Sequence, residues 1–287
     1  MIQIANLLRA LPINLCVVGR KRDYMLRMAD VVFRSRSRSE LNTEFGAFAI
    51  DRSHEPERVF CLFFYNLLRY YDRSDLGQHI RRIAVPESTF LDIGANLGLY
   101  ALLARRAGMS TVVVEPEPAH AAFLRRNEAI YGKVLSVAVS DAPGDLPLYY
   151  DPTNPAGTSL CNALDYKVGA GSIPVRTFSA LARAGDFGPL NKISLIKIDV
   201  EGFEVEAVEG MAEALADPDF RPDIWCEVRG DTAGRAPGSY RKVRQQLEHH
   251  GYATKWICDG RRRPLNEGDL SREVVYDLLF TRGGTAT

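Results

Sequence analysis

Residues 88–108 read STFLDIGANLGLYALLARRAG. A short apolar run ends in Asp92, a glycine turn follows, and an amphipathic stretch closes at Gly108. This predicts a strand, a tight turn and a helix with glycine just past its end. Outward from it the alternation continues. TVVVEP (111–116) is a second strand, stopped by Pro116, and PAHAAFLRRNEAI (118–130) is a helix. VLSVAVSD (134–141), KISLIKID (192–199) and DIWCEV (223–228) read as further strands. Helices are expected at 202–217 and at 240–251, where Tyr240, Val243 and Leu247 share one face. Strands that are apolar throughout and alternate with helices make a mostly parallel sheet covered on both faces, an α/β fold. The final pair, YATKWIC (252–258) and EVVYDLLFT (273–281), has no helical pattern between its strands, only a loop with Arg261, Arg262 and Arg263. These two should pair antiparallel at one edge.

Segment 142–178 breaks the alternation. LPLYYD (146–151) and SIPVRTF (172–178) look like short strands around the Gly-, Ser- and Asn-rich NPAGTSLCNA (154–163). An insertion of this length reads as a binding loop or lid. Before residue 88 the pattern is helical. In EPERVFCLFFYNLLRYY (55–71), Phe60, Phe63, Phe64, Leu67, Leu68 and Tyr71 recur with helical spacing. The chain thus divides into an N-terminal helical appendage, 1–87, and a main domain, 88–287.

Composition sets limits. The 36 Lys+Arg balance 36 Asp+Glu, which argues against a nucleic-acid partner. Hydrophobic residues are 46% of the chain, which argues against wholesale disorder. The five cysteines form no C-x-x-C pair, so neither a zinc site nor a disulfide framework is indicated, and a cytoplasmic location is the simplest expectation. Positive charge follows the first apolar stretch instead of preceding it, unlike a cleaved signal peptide. Residues 1–40 carry eight basic and three acidic side chains, a local charge of +5. The readings are a solvated face or weak contact with a membrane surface.

In open parallel sheets, ligands bind beyond the carboxyl ends of the strands. Those ends carry Asp92, Glu115, Asp141, Asp199 with Glu201, and Glu227. The first turn, DIGANLG, has Gly94 and Gly98 but Asn96 and Leu99 where a dinucleotide fingerprint needs glycine. That argues against a nicotinamide dehydrogenase. Glu115 stands 23 residues after Asp92, near the spacing of a carboxylate that grips ribose hydroxyls. A nucleoside without phosphates fits, namely S-adenosyl-L-methionine, whose cation nearby acids favour. Asp199, Glu201 and Glu227 are candidate catalytic acids able to accept a hydroxyl proton. The alternative for Asp199 is a helix cap at 202. No metal site is read from histidine or cysteine spacing, and a divalent ion on Asp199 and neighbouring acids stays open.

FLDIGANLGLY (90–100), VVEPEP (113–118), VAVSD (137–141), AGTSL (156–160), LIKIDVEGFE (195–204), VEGM (208–211) and IWCEV (224–228) occur in the order seen in the FkbM family. The chain resembles an FkbM-type S-adenosylmethionine-dependent methyltransferase across residues 88–230. The resemblance implies a Rossmann-like class I methyltransferase sheet. It places Asp92, Gly94, Asn96 and Gly98 around the methionine and ribose, Glu115 on the ribose and Asp141 near the adenine. The implied reaction is O-methylation of a hydroxyl on a sugar, glycolipid or secondary metabolite, with a small-molecule or glycan acceptor. N-methyl transfer, or a non-catalytic nucleoside-binding module on the same fold, are the alternatives. Where the family has Leu-Asp, this chain has Phe178 and Ser179, read as a variation in helix capping.

Overall fold

The computed structural model describes residues 40–150, 159–160, 167–230, 237–258, 261–263 and 275–282. The basic segment 1–39, with its expected surface contact, lies outside the described residues. The described chain opens with a hairpin of β1 (Glu40–Thr43) and β2 (Gly46–Ala49), followed by α1 (Glu55–Arg73) and α2 (Asp75–Ile83). Then come β3 (Thr89–Ile93), α3 (Leu99–Arg106), β4 (Ser110–Val114), α4 (Pro118–Arg126), α5 (Glu128–Tyr131) and β5 (Lys133–Leu135). A small sheet is built from β6 (Ala138–Ser140), β7 (Gly144–Tyr150) and β8 (Lys167–Thr177), and α6 (Phe178–Arg183) follows it. The remainder is β9 (Ile193–Ile198), α7 (Glu204–Glu209), α8 (Ala212–Ala216), β10 (Asp223–Arg229), α9 (Ser239–His249), β11 (Tyr252–Cys258), β12 (Arg261–Arg263) and β13 (Val275–Arg282).

The main sheet runs β12-β11-β13-β10-β9-β3-β4-β5. Strands β10, β9, β3, β4 and β5 are parallel, while β13 is antiparallel to both β10 and β11. The expected antiparallel pairing of 252–258 with 273–281 is present. However, β13 sits inside β11, and the arginines read as a loop form the edge strand β12. Alternation divides the side chains between two cores. Leu91, Ile196, Ile198, Cys226 and Phe280 face α6 to α9. Phe90, Val113, Leu195, Trp225 and Leu279 face the other way.

That second core includes the N-terminal segment. Phe60, Phe64 and Leu68 of α1 and Leu76 and Ile80 of α2 bury against it, as their helical spacing predicts. The hairpin was not legible in a segment read as helical. It forms because Gly46 supplies a turn at φ +124° and Thr43 Oγ1 accepts from Phe45 N–H at 3.1 Å. Phe48 then inserts among Phe60, Phe64, Phe123 and Tyr131. His79, on α2, is buried and joins that helix to the sheet through Asp223 at 3.0 Å.

Two expected elements are split. The run 134–141 breaks at Ser136–Val137: β5 stays in the main sheet, and β6 leaves it to pair with β8. The helix expected at 202–217 breaks at Gly210, where a Cβ would lie 2.1 Å from the Ser140 carbonyl. Thr177 caps α6 by accepting from Ala180 N–H at 3.0 Å, and Ser179 donates to the Gly210 carbonyl at 2.9 Å. The FS departure therefore sits within a capped helix start.

Candidate active site

Chain reversal at the carboxyl ends of β3, β4 and β9 opens a cleft. Gly94, Asn96, Glu115, His120, Ser159 and Asp199 are among its lining residues. The β3 turn is shaped by positive φ at Gly94 (+79°), Asn96 (+51°) and Gly98 (+71°). Only glycine serves at 94, because a Cβ there would meet the Asp199 carbonyl at 1.8 Å. Gly98 works away from the cleft: a Cβ would lie 2.4 Å from the Tyr131 ring, so it lets α3 pack closely.

Glu115 closes the turn. Its carboxylate accepts from Asn96 N–H at 2.7 Å and from Glu117 N–H at 2.8 Å. Burial pushes its pKa up to about 7 against those two hydrogen bonds. Each oxygen keeps further acceptor capacity for hydroxyl groups facing the cleft. His120 also lines the cleft, and burial holds it below the ordinary histidine range. The insertion supplies Leu148, Ser159 and Leu160 to the opposite wall. Most of its Gly-rich stretch lies outside the described residues.

Three predicted acids gather at the ends of β9 and β10. Asp199, Glu201 and Glu227 each bring a carboxylate oxygen within 4.8 Å of the others, close enough for one cation to be held. Arg229 already lies among them, 2.7 Å from Glu201 and 3.6 Å from Glu227. Burial, then Asp199 and Glu201, push Glu227 up to about 9, with Arg229 opposing. Glu201 adopts φ +56°, and its carbonyl accepts from Ser159 Oγ at 2.6 Å. Asp199 and Glu201 line the cleft; Glu227 stands behind them.

Two further predicted residues also lie outside the cleft. Asp92 is 1% exposed and lies beneath the turn, bound to Lys197 at 3.3 Å. Asp141 is exposed beyond β6 and accepts from Ser140 Oγ at 2.8 Å. The strand break at Ser136–Val137 carries it away from the main sheet, and it does not line the cleft.

Three contributors escaped the sequence reading. Lys197 sits in a buried strand, and its signal was a lone charge in the apolar run LIKI. Glu204 Oε1 accepts from Val200 N–H at 3.2 Å and Gly202 N–H at 2.9 Å, holding the loop that presents Asp199 and Glu201. Arg229 was read only as a strand end, because its pairing depends on a neighbouring strand.

Against known proteins, a model described as the methyltransferase FkbM domain matches residues 92–254. The chain belongs to the FkbM methyltransferase family. Members of the FkbM family take their methyl group from S-adenosylmethionine. The cleft fits that donor in kind: Glu115, fixed by two backbone N–H groups beside the Gly94–Asn96 turn, keeps acceptor capacity for hydroxyl groups. Methyltransferase sdnD of Sordaria araneosa is 28% identical over 162 residues, covering 45% of this chain and 62% of that protein. Hexuronic acid methyltransferase AglP of Haloferax volcanii is 28% identical over 141 residues, covering 48% and 55%. The matched part is thus under two thirds of either relative's length. Among solved structures, magnesium protoporphyrin IX methyltransferase from Synechocystis PCC 6803 aligns with a TM-score of 0.41 and 9% identity, covering 77% of this FkbM chain and 84% of that one. Precorrin-6y C5,15-methyltransferase from Geobacter metallireducens gives 0.40 and 14%, covering 72% and 87%.

Proposed function

We propose that this FkbM-family chain transfers methyl from S-adenosylmethionine to a hydroxyl oxygen of a sugar, glycolipid or secondary metabolite. The observation that carries this is the junction of two surfaces in one cleft. A backbone-built turn with Glu115 adjoins a cluster of acids at the ends of β9 and β10. The name of the hexuronic acid methyltransferase relative supports a sugar-like acceptor. The balanced charge of the chain supports a small molecule or glycan over nucleic acid.

When bound, S-adenosylmethionine supplies a methyl group on a sulfonium centre, open to in-line displacement. Glu115 accepts the ribose hydroxyls while its own backbone contacts keep it in place. Asp199, 3.2 Å from Lys197, faces the cleft. Glu201, tied to Arg229, orients the acceptor. The acceptor's proton passes to this cluster of acids, and within it to Glu227, as the new C–O bond forms and the C–S bond of the donor breaks. The pKa of Glu227, raised to about 9, suits proton exchange.

The test is incubation with S-adenosylmethionine and a panel of hydroxyl-bearing acceptors, followed by mass analysis. A methylated oxygen is the expected product. On that acceptor, Glu227→Gln should lower kcat by about 10²–10⁴-fold. Wild-type kcat should rise with pH toward about 9, as Glu227 gives up its proton. A methylated nitrogen, or wild-type kcat in Glu227→Gln, contradicts the reading.

A further inference from the structure

Lys197 presents an unusual arrangement for a side chain in the middle of a sheet. The residue is 4% exposed, and its ammonium has three hydrogens to donate. Three oxygens from two segments surround it: it donates to the Gly94 carbonyl at 3.0 Å and forms ion pairs with Asp199 Oδ2 at 3.2 Å and Asp92 Oδ1 at 3.3 Å. Asp92 and Lys197 are register partners on the neighbouring strands β3 and β9, so the contact is fixed by backbone pairing. The Tyr100 ring lies 5.9 Å from the ammonium. Two of the three acceptors, Gly94 and Asp199, belong to residues that line the cleft; the third lies beneath it.

We infer that Lys197 is a positioning residue that locks the Asp199 carboxylate to the Gly94 turn and so aims it at the cationic end of the methyl donor. The inference rests on the proposed reading that S-adenosylmethionine occupies the cleft lined by Asp199. Burial works against a charge on Lys197, but Asp199 and Asp92 outweigh it and hold the ammonium above the ordinary lysine range. The cation is therefore permanent. Its three contacts triangulate the two walls of the cleft relative to each other. Glu201, by contrast, is held through Ser159 and Arg229, and has no contact with Lys197 among those just described.

Removing Lys197 alone would strand the buried Asp92, so the informative variant changes both. Asp92→Asn/Lys197→Met removes one negative and one positive group and leaves the formal charge of the Asp92, Lys197 and Asp199 set unchanged. What it alters is the hold on Asp199. Replacement of a buried ion pair by neutral groups of similar size is often tolerated by the fold. Asp92→Asn/Lys197→Gln, which keeps N–H donors at 197, serves as a second variant.

The experiment is calorimetric titration of wild type, both double variants, Asp199→Asn and the triple variants with S-adenosylmethionine and with its demethylated product. These ligands differ in the sulfonium charge, so the ratio of their affinities reads how well an anion is aimed at sulfur. A general loosening of the fold weakens both ligands alike and leaves the ratio unchanged. Melting curves identify which variants fold. Asp92→Asn/Lys197→Met should lower the preference for the cationic ligand about tenfold, and Lys197→Gln in its place should lower it less. Adding either double change to Asp199→Asn should shift the ratio no further, since residues acting through one group are not additive. A folded double variant with the wild-type ratio, or effects that add to those of Asp199→Asn, overturns the inference. If Asp199→Asn itself leaves the ratio unchanged, the placement of Asp199 falls and the role of Lys197 falls with it. If Asp199→Asn shifts the ratio and the double variants do not, only the role of Lys197 fails.

Discussion

The two walls of the cleft are built by different means. On the β3–β4 side the chain itself does the work: Gly94 and Asn96 turn in left-handed geometry, and Glu115 locks that turn through two backbone N–H groups. On the β9–β10 side, side-chain charge does it. Asp199, Glu201 and Glu227 crowd together, and Lys197 and Arg229 hold them. A wall made of backbone sets where a donor sits. A wall made of coupled carboxylates sets the protonation states available to an acceptor. On the proposed reading, the first wall seats the nucleoside of S-adenosylmethionine, and the second faces its sulfonium through Asp199 and handles the proton.

The harshest way to break the first wall is Gly94→Ala. The new methyl would collide with the Asp199 carbonyl and occupy φ +79°, so both walls shift at once. A left-handed non-glycine residue alone costs about 1–3 kcal/mol, and the clash adds to it. The expected result is a clear drop in melting temperature and loss of measurable donor binding. Normal melting with normal binding would mean that the turn is not rigid.

Glu227→Gln sharpens the contrast by pH. Glu227 has a folded pKa of about 9 against an ordinary 4.5. The folded form thus prefers the proton more strongly than the unfolded chain does. That preference stabilises the fold fully below pH 4.5 and is lost progressively as pH rises toward 9. Glutamine has no proton to lose. The variant should therefore gain on wild type between pH 5 and pH 9, by at least about 2–4 °C in melting temperature, the shift of 1 kcal/mol in a domain of this size. A difference that stays constant with pH would show that the acids are not coupled.

Ser159→Ala is the mildest change. It removes the hydrogen bond to the Glu201 carbonyl and should cost about 0.5–1.5 kcal/mol of stability, read by denaturant unfolding. Donor affinity should move less than twofold. A large loss of affinity would place the insertion on the donor wall instead.

Legibility in the sequence follows the same division. The turn 92–98 and Glu115 could be read directly, because positive φ demands particular residues and ribose recognition has a characteristic spacing. The parallel strands could be read because they are buried on both faces. The hairpin at 40–49 could not, since its strands are only four residues each and lie beside a strongly helical stretch. The departure of Asp141 from the main sheet could not be read, because a continuous apolar run hides a break at Ser136–Val137. The ammonium of Lys197 and the guanidinium of Arg229 could not be assigned, since their partners come from neighbouring strands. The acids at 199, 201 and 227 were visible one by one, but their convergence depends on β9 lying beside β10.

The division of labour is tested most directly by paired calorimetric titration of S-adenosylmethionine into Glu115→Ala and Glu227→Gln at pH 8. Loss of the Glu115 carboxylate should weaken binding by about 1–3 kcal/mol, the scale of hydrogen bonds to a charged group. Glu227→Gln should bind within twofold of wild type. Wild-type affinity in a folded Glu115→Ala, or an equal loss in both variants, would contradict the account.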